Sequence, residues 1–240
     1  MNRVIVTRPE PDATRFADLC RAHGLDPVLS PVMEIRIAKT IVDLSDVGAL
    51  AFTSANGVRA FAATCDARDL PVYAVGDVTA QEARAAGFAR IHVAGGDVQS
   101  LASHIASENR LAGKALLHVA GEHRAGDLVA LLGSQGIAAR RQSFYRAAPA
   151  QALSPAALSA LDKPRADGDL WVSLFSPRTA KLFVALAERA NAQAALGRVH
   201  AACLSEAVAV AAGPGWAAYH IAPEMNAESL ISLISAQKRA

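Results

Sequence analysis

The chain of 240 residues is 52% hydrophobic and 19% charged, which places it outside the disordered class and gives it apolar material for one large domain or two small ones. A net charge of +2 and a pI of about 8.5 are too mild for a protein that grips a nucleic-acid backbone through dense basic surface, and no run of about 18 apolar residues offers a membrane span. Three cysteines, Cys20, Cys65 and Cys203, are odd in number and widely spaced, so they read as buried free thiols.

Met1-Asn2-Arg3 leads straight into Val4-Ile5-Val6, too short an apolar stretch for an export signal, and a cytoplasmic location is expected. The opening strand runs from Arg3 through Thr7-Arg8-Pro9. A helix from Asp12 carries Phe16, Leu19 and Cys20 on one face and stops at Gly24. Residues 26–29 form a second strand, and 33–37 an extended segment without a turn signal. Residues 49–52 are a buried strand leading to Ser54, which sits where a helix N-cap belongs, with Val58 and Phe61 following at helical spacing. A strand at 71–76 delivers Asp77-Val78-Thr79-Ala80 to a helix that closes at Gly87. A strand at 90–94, the loop Gly95-Gly96-Asp97 and a helix through Leu101 and Ile105 come next.

Residues 114–119 are a strand whose following loop contains Gly121, and a helix through Leu128, Leu131 and Leu132 stops at Gly136. Residues 139–145 are extended again, and a short helix is predicted over 155–161. The last third reads as strand 170–175, a helix capped by Ser176, strand 198–204, helix 206–212, strand 217–222 and a closing helix through Leu230 and Ile234. Strands that alternate with helices throughout imply parallel sheets covered by helices.

The chain also repeats itself. The segment from Ala49 to Phe61 has a relative in 174–183, with Ser54 over Ser176 at 176 − 54 = 122. Val75 to Ala80 matches Leu204 to Ala209 at 204 − 75 = 129, and His92 matches His220 at 220 − 92 = 128. The first unit, 4–25, matches 116–137 at 136 − 24 = 112, with Phe16 over Leu128. The matched units occur in opposite order, so if each set folds as one domain, one domain is the interior of the chain (40–140) and the other is built from both ends (1–35 and 148–240); the alternative is chance likeness among strand–helix units of one fold class. The chain then crosses between them at 33–40 and 139–150, where the two extended segments can pair as a ladder. The expected fold class is therefore α/β: two pseudo-equivalent parallel-sheet domains joined by a two-stranded ladder, with a hinge and a cleft.

In parallel sheets ligands sit beyond the carboxyl ends of the strands, where helix N-termini present unpaired amides and a partial positive charge. Here those positions are Thr7 and Arg8; Ser54, Ala55 and Asn56; Gly76 and Thr79; Gly95; Gly121; Ser176 and Pro177; and Ser205. Such residues also cap helices and make turns for local reasons in any protein of this class. Arg8, Arg124 and Arg178 lie in loops on the same side and could pair with carboxylates. Tyr145 ends a crossing segment between Phe144 and Arg146; a phenol keeps its proton at neutral pH and can donate to a leaving oxygen, or the ring can simply pack on the hinge. The turn Gly213-Pro214-Gly215 follows a helix and precedes a strand, the reverse of a dinucleotide cradle. No metal set is read from the histidines: His118 and His123 lack a third ligand, and His92 and His220 read as packing residues.

Taken in order, the VTRP opening, the FTSANGV segment, Ala74-Val75-Gly76 with Thr79-Ala80, the loop from Gly121 to Arg124, the Tyr145 segment and Phe175-Ser176-Pro177 resemble the uroporphyrinogen-III synthase family over nearly the full chain. The resemblance implies two α/β domains joined by a two-stranded ladder. It also implies an enzyme, a carbon–oxygen lyase of porphyrin biosynthesis, that closes linear hydroxymethylbilane into uroporphyrinogen III with inversion of the terminal ring and loss of water. No cofactor or metal is implied, the partner is an anionic tetrapyrrole, and a monomer is expected. Tyr145 matches the family tyrosine proposed to help the leaving group. One departure stands out: where many members carry Thr in the second copy of the Ile-Gly-x-x-Thr-Ala stretch, this chain has Val208. The competing reading is a cytoplasmic two-domain protein that binds a tetrapyrrole or another small molecule without turnover.

Overall fold

A computed structural model describes residues 1–108, 111, 113–122, 126–163 and 168–237. In chain order the elements are β1 Arg3–Val6, α1 Asp12–Ala22, β2 Asp26–Leu29, β3 Met33–Ile37, β4 Val47–Phe52, α2 Ala55–Ala62, β5 Val72–Ala74, α3 Asp77–Ala85, β6 Ile91–Val93 and α4 Val98–Glu108. They continue with β7 Ala115–Gly121, α5 Leu128–Gly133, β8 Ala139–Pro149, α6 Pro155–Asp162, β9 Leu170–Leu174 and α7 Pro177–Arg189. A 3₁₀ turn at Gln193–Arg198, β10 Val199–Cys203, α8 Glu206–Ala212, β11 Ala218–Ile221 and α9 Ala227–Ala236 complete the chain.

Two compact units result, one of Met1–Glu34 with Ala148–Ala240, the other of Ile35–Ala147. The terminal unit holds a sheet of order β11-β10-β9-β1-β2, and the interior unit contributes to a sheet of order β3-β8-β7-β4-β5-β6. The ladders among β1, β2, β9, β10 and β11, and among β4 to β8, are parallel. The two strands through which the chain passes from one unit to the other, β3 and β8, are neighbours. Ala38 N donates to Phe144 O at 2.8 Å and Ala150 N to Val32 O at 2.9 Å. Partner numbers sum to the same value in both bonds (38 + 144 = 150 + 32 = 182), so this pair runs antiparallel.

The internal repeat is written into the ladders. In the interior sheet Ala51 faces Tyr73 and His118, and Tyr73 faces His92. In the terminal sheet Ser173 faces Ala202 and Val6, and Ala202 faces His220. The offsets are 173 − 51 = 122, 202 − 73 = 129, 118 − 6 = 112 and 220 − 92 = 128, the four found in the sequence. Each repeat therefore preserves the register of its strand, and hence which side chains face which layer.

Alternation along the strands feeds two apolar layers per unit. Ile5, Val172, Leu174, Ala201 and Cys203 pack on one side of the terminal sheet, and Val4, Val6, Trp171 and Ala202 on the other. In the interior unit Leu50, Phe52, Leu117 and Val119 face a layer with Phe61, Phe88 and Phe144, while Ala49, Ala51, Tyr73 and Leu116 face Leu101, Ile105 and Leu128. Strands buried on both faces read as continuous apolar runs. Cys20 and Cys203 are buried, and loss of solvent pushes their thiols up to about 12 and about 11; Cys65 is half-buried and also free.

Some boundaries differ from those the sequence suggests. β1 stops at Val6, because the Thr7 hydroxyl turns inward and donates to Ser173 O. Gly121 is the last residue of β7, not part of the following loop, because it pairs with Tyr145, and β8 continues four residues past Tyr145.

Phe61 is fully buried, with ring centroids 5.9 Å from Phe52 and 5.5 Å from Phe144. Phe61→Ala is expected to destabilise the interior unit by about 3–5 kcal/mol, the usual cost of emptying such a site, measured by urea unfolding.

Candidate active site

On the interior unit the carboxyl ends of β4 and β7 meet β8. Ser54, extended at φ −163° and ψ 153°, caps α2: its Oγ accepts from Gly57 N at 3.1 Å. The same Oγ lies 2.8 Å from Tyr145 Oη. A register shift in the β7–β8 ladder lets Tyr145 arrive there. Ala120 faces Ser143 but Gly121 faces Tyr145, so Phe144 is the extra residue of a bulge. Phe144 goes fully into the core, and Tyr145, half-buried, sits against Gly121. A Cβ on Gly121 would stand 2.8 Å from Tyr145 Cζ and 2.9 Å from Cε2, so only glycine admits the ring. Glu122 N donates to Tyr145 O at 2.8 Å and holds the turn.

Beside this pair lies a second one that the sequence reading missed. Thr53 Oγ1 and His118 Nε2 are 3.2 Å apart, from residues 65 positions apart in the chain. His118 is buried and its pKa falls to about 4, chiefly because burial penalises the imidazolium, then because of the Arg141 guanidinium; Asp127 opposes weakly. Arg141 donates to the carbonyls of Gly121 and Glu122, so a cation is fixed beside the end of β7 that pairs with Tyr145. His118 is a strand residue facing Ala51 across the sheet, and nothing in its local sequence announces the contact with Thr53.

The other candidates on this unit fall into two places. Ala55 and Asn56 open α2, where first-turn amides have no partner within the helix. The Asn56 side chain accepts from Arg59 at 2.7 Å, and Arg59 also holds Glu82 at 2.9 Å. Gly76 caps α3, and a Cβ there would lie 3.4 Å from Gly96 Cα, so the Gly76 turn and the Gly95-Gly96 loop touch. Gly95 is exposed. Thr79 is 5% exposed and faces inward from α3. Arg124, like His123, lies outside the described residues.

On the terminal unit Arg8 pairs with Asp12 at 3.3 Å, with its guanidinium carbon 4.5 Å from the centroid of the Phe175 ring. Thr7 is fully buried and bonded to the neighbouring strand. Ser176 caps α7 in a closed box: its Oγ accepts from Thr179 N at 3.1 Å, and Thr179 Oγ1 accepts from Ser176 N at 2.9 Å. Pro177 is the first helical residue, and Arg178 follows it half-buried. Ser205 caps α8 from an extended backbone. Val208, the departure noted above, is 1% exposed; its equivalent, at 208 − 129 = 79, is Thr79, and both face their cores. A methyl in place of a hydroxyl there is a packing choice.

A family model described as uroporphyrinogen-III synthase HemD matches residues 14–232. A curated relative from Methanocaldococcus jannaschii is 39% identical over 57 residues, a match spanning 23% of this chain and only 24% of the relative's length. Among solved structures, uroporphyrinogen-III synthetase from Helicobacter pylori 26695 superposes with a TM-score of 0.67 at 18% identity, covering 99% of both chains. A mutant uroporphyrinogen III synthase from the extremely thermophilic bacterium Thermus thermophilus gives 0.50 at 16% identity, over 97% of this chain and 96% of that one. At such identities the structures speak for the fold. Among the described residues no helix is long and apolar enough to cross a membrane.

His118 yields a pH dependence with a definite sign. Its folded pKa lies below the ordinary histidine value, so the neutral ring contributes its full stability above about pH 6.5, and that contribution is lost as the pH falls toward 4. Between pH 7.5 and pH 5, wild type should lose about 2 kcal/mol of unfolding free energy relative to His118→Leu. Chemical denaturation of both proteins at the two pH values checks it.

Proposed function

We propose that this chain, which belongs to the uroporphyrinogen-III synthase family, closes linear hydroxymethylbilane into uroporphyrinogen III, inverting the terminal ring and releasing water as a carbon–oxygen lyase. The observation that carries the reading down to atoms is the 2.8 Å contact between Ser54 Oγ, just past the end of β4, and Tyr145 Oη, next to the bulge within β8. Ser54 Oγ takes the Gly57 amide proton on one lone pair, which leaves its own hydroxyl proton free to point at Tyr145. The phenol proton can then turn outward to the substrate.

In the proposed reaction the electron-rich pyrrole expels the hydroxyl group of the hydroxymethyl arm. Tyr145 supplies the proton that makes it water, and Ser54 donates to the phenol oxygen as negative charge builds there. The substituted carbon of the terminal ring then attacks the methylene carbon to give a spiro intermediate. The older bond from that ring carbon to its methylene bridge breaks, the freed bridge carbon rejoins at the unsubstituted carbon of the same ring, and the proton lost there restores the phenol, while the protein holds the chain in the geometry this requires. The carboxylate side chains of the substrate suit the amides at Ala55 and Asn56, the Gly76 and Gly95 turns, and, on the terminal unit, Arg8 and Ser205, while the closed cap at Ser176 and Pro177 offers the positive end of the α7 dipole and no hydrogen bond of its own. Gly121 ends β7 directly against Tyr145, and Arg124, outside the described residues, is proposed as a further carboxylate partner. Thr7 and Thr79 support the strand and helix that carry these groups. The protein is proposed to act as a cytoplasmic monomer.

Incubation with hydroxymethylbilane, followed by oxidation and separation of isomers, should yield the type III product. Type I alone, the spontaneous outcome, would instead mark a tetrapyrrole-binding protein. Tyr145→Phe should lower kcat on the order of 10²-fold while product affinity stays near wild type, as expected for a lost proton donor. Unchanged turnover would remove Tyr145 from the mechanism.

A further inference from the structure

We propose that His92, His104 and Glu108 form a zinc site on the interior unit, separate from the chemistry above. His92 is the middle residue of β6, and His104 and Glu108 stand one turn apart on α4. One ligand atom from each lies within 4.8 Å of the other two. His92 Nδ1 is 3.0 Å from the Glu108 carboxylate and His104 Nε2 is 3.8 Å from it. Tetrahedral zinc with bonds of about 2.0–2.1 Å sets its ligands about 3.3 Å apart, so the two histidine–carboxylate separations lie close to that value, and the trio, within 4.8 Å, would draw in on binding. Two imidazole nitrogens and one carboxylate oxygen are a donor set that zinc favours, with water in the fourth position. The side chains are 22%, 33% and 18% exposed, which lets that water in.

Two observations separate this cluster from an ordinary hydrogen-bonded patch. First, His104 Nε2 is shielded from solvent and, among the described residues, has no hydrogen-bond partner, a state that costs free energy unless something fills it. Second, the carboxylate has an outer partner of the kind found at metal sites. Tyr73 Oη donates to Glu108 Oε2 at 3.0 Å and orients the carboxylate, and the Tyr73 ring stacks on His92 at 4.8 Å and 22°. Zinc would displace any proton between His92 Nδ1 and the carboxylate, and that proton leaves to solvent.

The terminal unit supplies an internal control. The same slots there are 73 + 129 = 202, 92 + 128 = 220, 104 + 129 = 233 and 108 + 129 = 237: Ala202, His220, Leu233 and Gln237. The helices correspond, since Asp97 and Asn226 each accept from the backbone of Ser100 or Ser229 at 2.7 Å. Leu233 packs against the apolar layer, so a strand–helix unit of this register closes without a polar trio. The trio in the interior unit is an addition to the framework.

Calorimetric titration of the chelator-treated full chain with zinc chloride tests the proposal, alongside His104→Leu and His92→Ala. Wild type should bind one zinc per chain and melt at a higher temperature with zinc than without it. His104→Leu, which installs the residue of the equivalent slot, should bind at least tenfold more weakly and lose the thermal shift while keeping its circular dichroism. His220→Ala should bind as wild type does. Cobalt(II) should give the intense visible bands of a tetrahedral site in wild type only. Absence of binding by wild type, or undiminished binding by both His104→Leu and His92→Ala, would overturn the site. If a variant melts poorly without metal, loss of the cobalt bands in Glu108→Gln decides the matter, since that change keeps the side chain's shape; retained bands count against the site.

Discussion

A strand buried on both faces leaves little room for solvent-facing polar chemistry along its length, and that constraint shapes both units. β1, β9 and β10, like β4 and β7, feed mostly apolar side chains to layers above and below, so groups that must reach a ligand gather at the strand ends, and the polar residues left within the strands, such as His118 and Ser173, are bonded inside the protein. Because the ladders are parallel, the carboxyl ends of the strands in each sheet fall on one edge, together with the N-termini of the helices that follow. Ser54, Gly76, Ser176 and Ser205 all occupy this place, each with the extended backbone of a residue leaving a strand and capping a helix. A mild net charge is compatible with an anionic ligand for this reason: the positive ends are backbone.

Much of this was legible in the sequence, because it depends on local patterns and on repetition. The strand and helix at Val47–Phe52 and Ala55–Ala62 follow from an apolar run, a capping serine and helical spacing. Each offset between the matched units reappeared as a ladder register. What stayed hidden depends on contacts distant in sequence. The bulge at Phe144 that aims Tyr145, the meeting of Thr53 with His118 and the position of Arg141 on the Gly121 carbonyl all join residues that no short window contains. For the histidines, the i,i+4 pair His104 and Glu108 could have been noticed on the predicted helix, but only the β5–β6 pairing brings His92 to it.

The two copies share a framework and differ in what their caps are free to do. Ser176 is fully engaged, because Thr179 at the third helical position closes the box with it on both sides. The equivalent of Thr179 is 179 − 122 = 57, and Gly57 has no side chain to offer. A Cβ at Gly57 would also stand 3.1 Å from Val119 O, so the close approach of α2 to β7 disfavours a larger residue there. With no side chain at that position, the third helical residue does not compete for the serine hydroxyl. Ser54 keeps its bond to the Gly57 amide and turns its remaining capacity to Tyr145. The two units hold helix caps of the same geometry; glycine at position 57 leaves one of them open, and the bulge in β8 brings a phenol to it. A hydroxyl that only capped its helix would have no reason to meet a tyrosine from a strand 91 residues away.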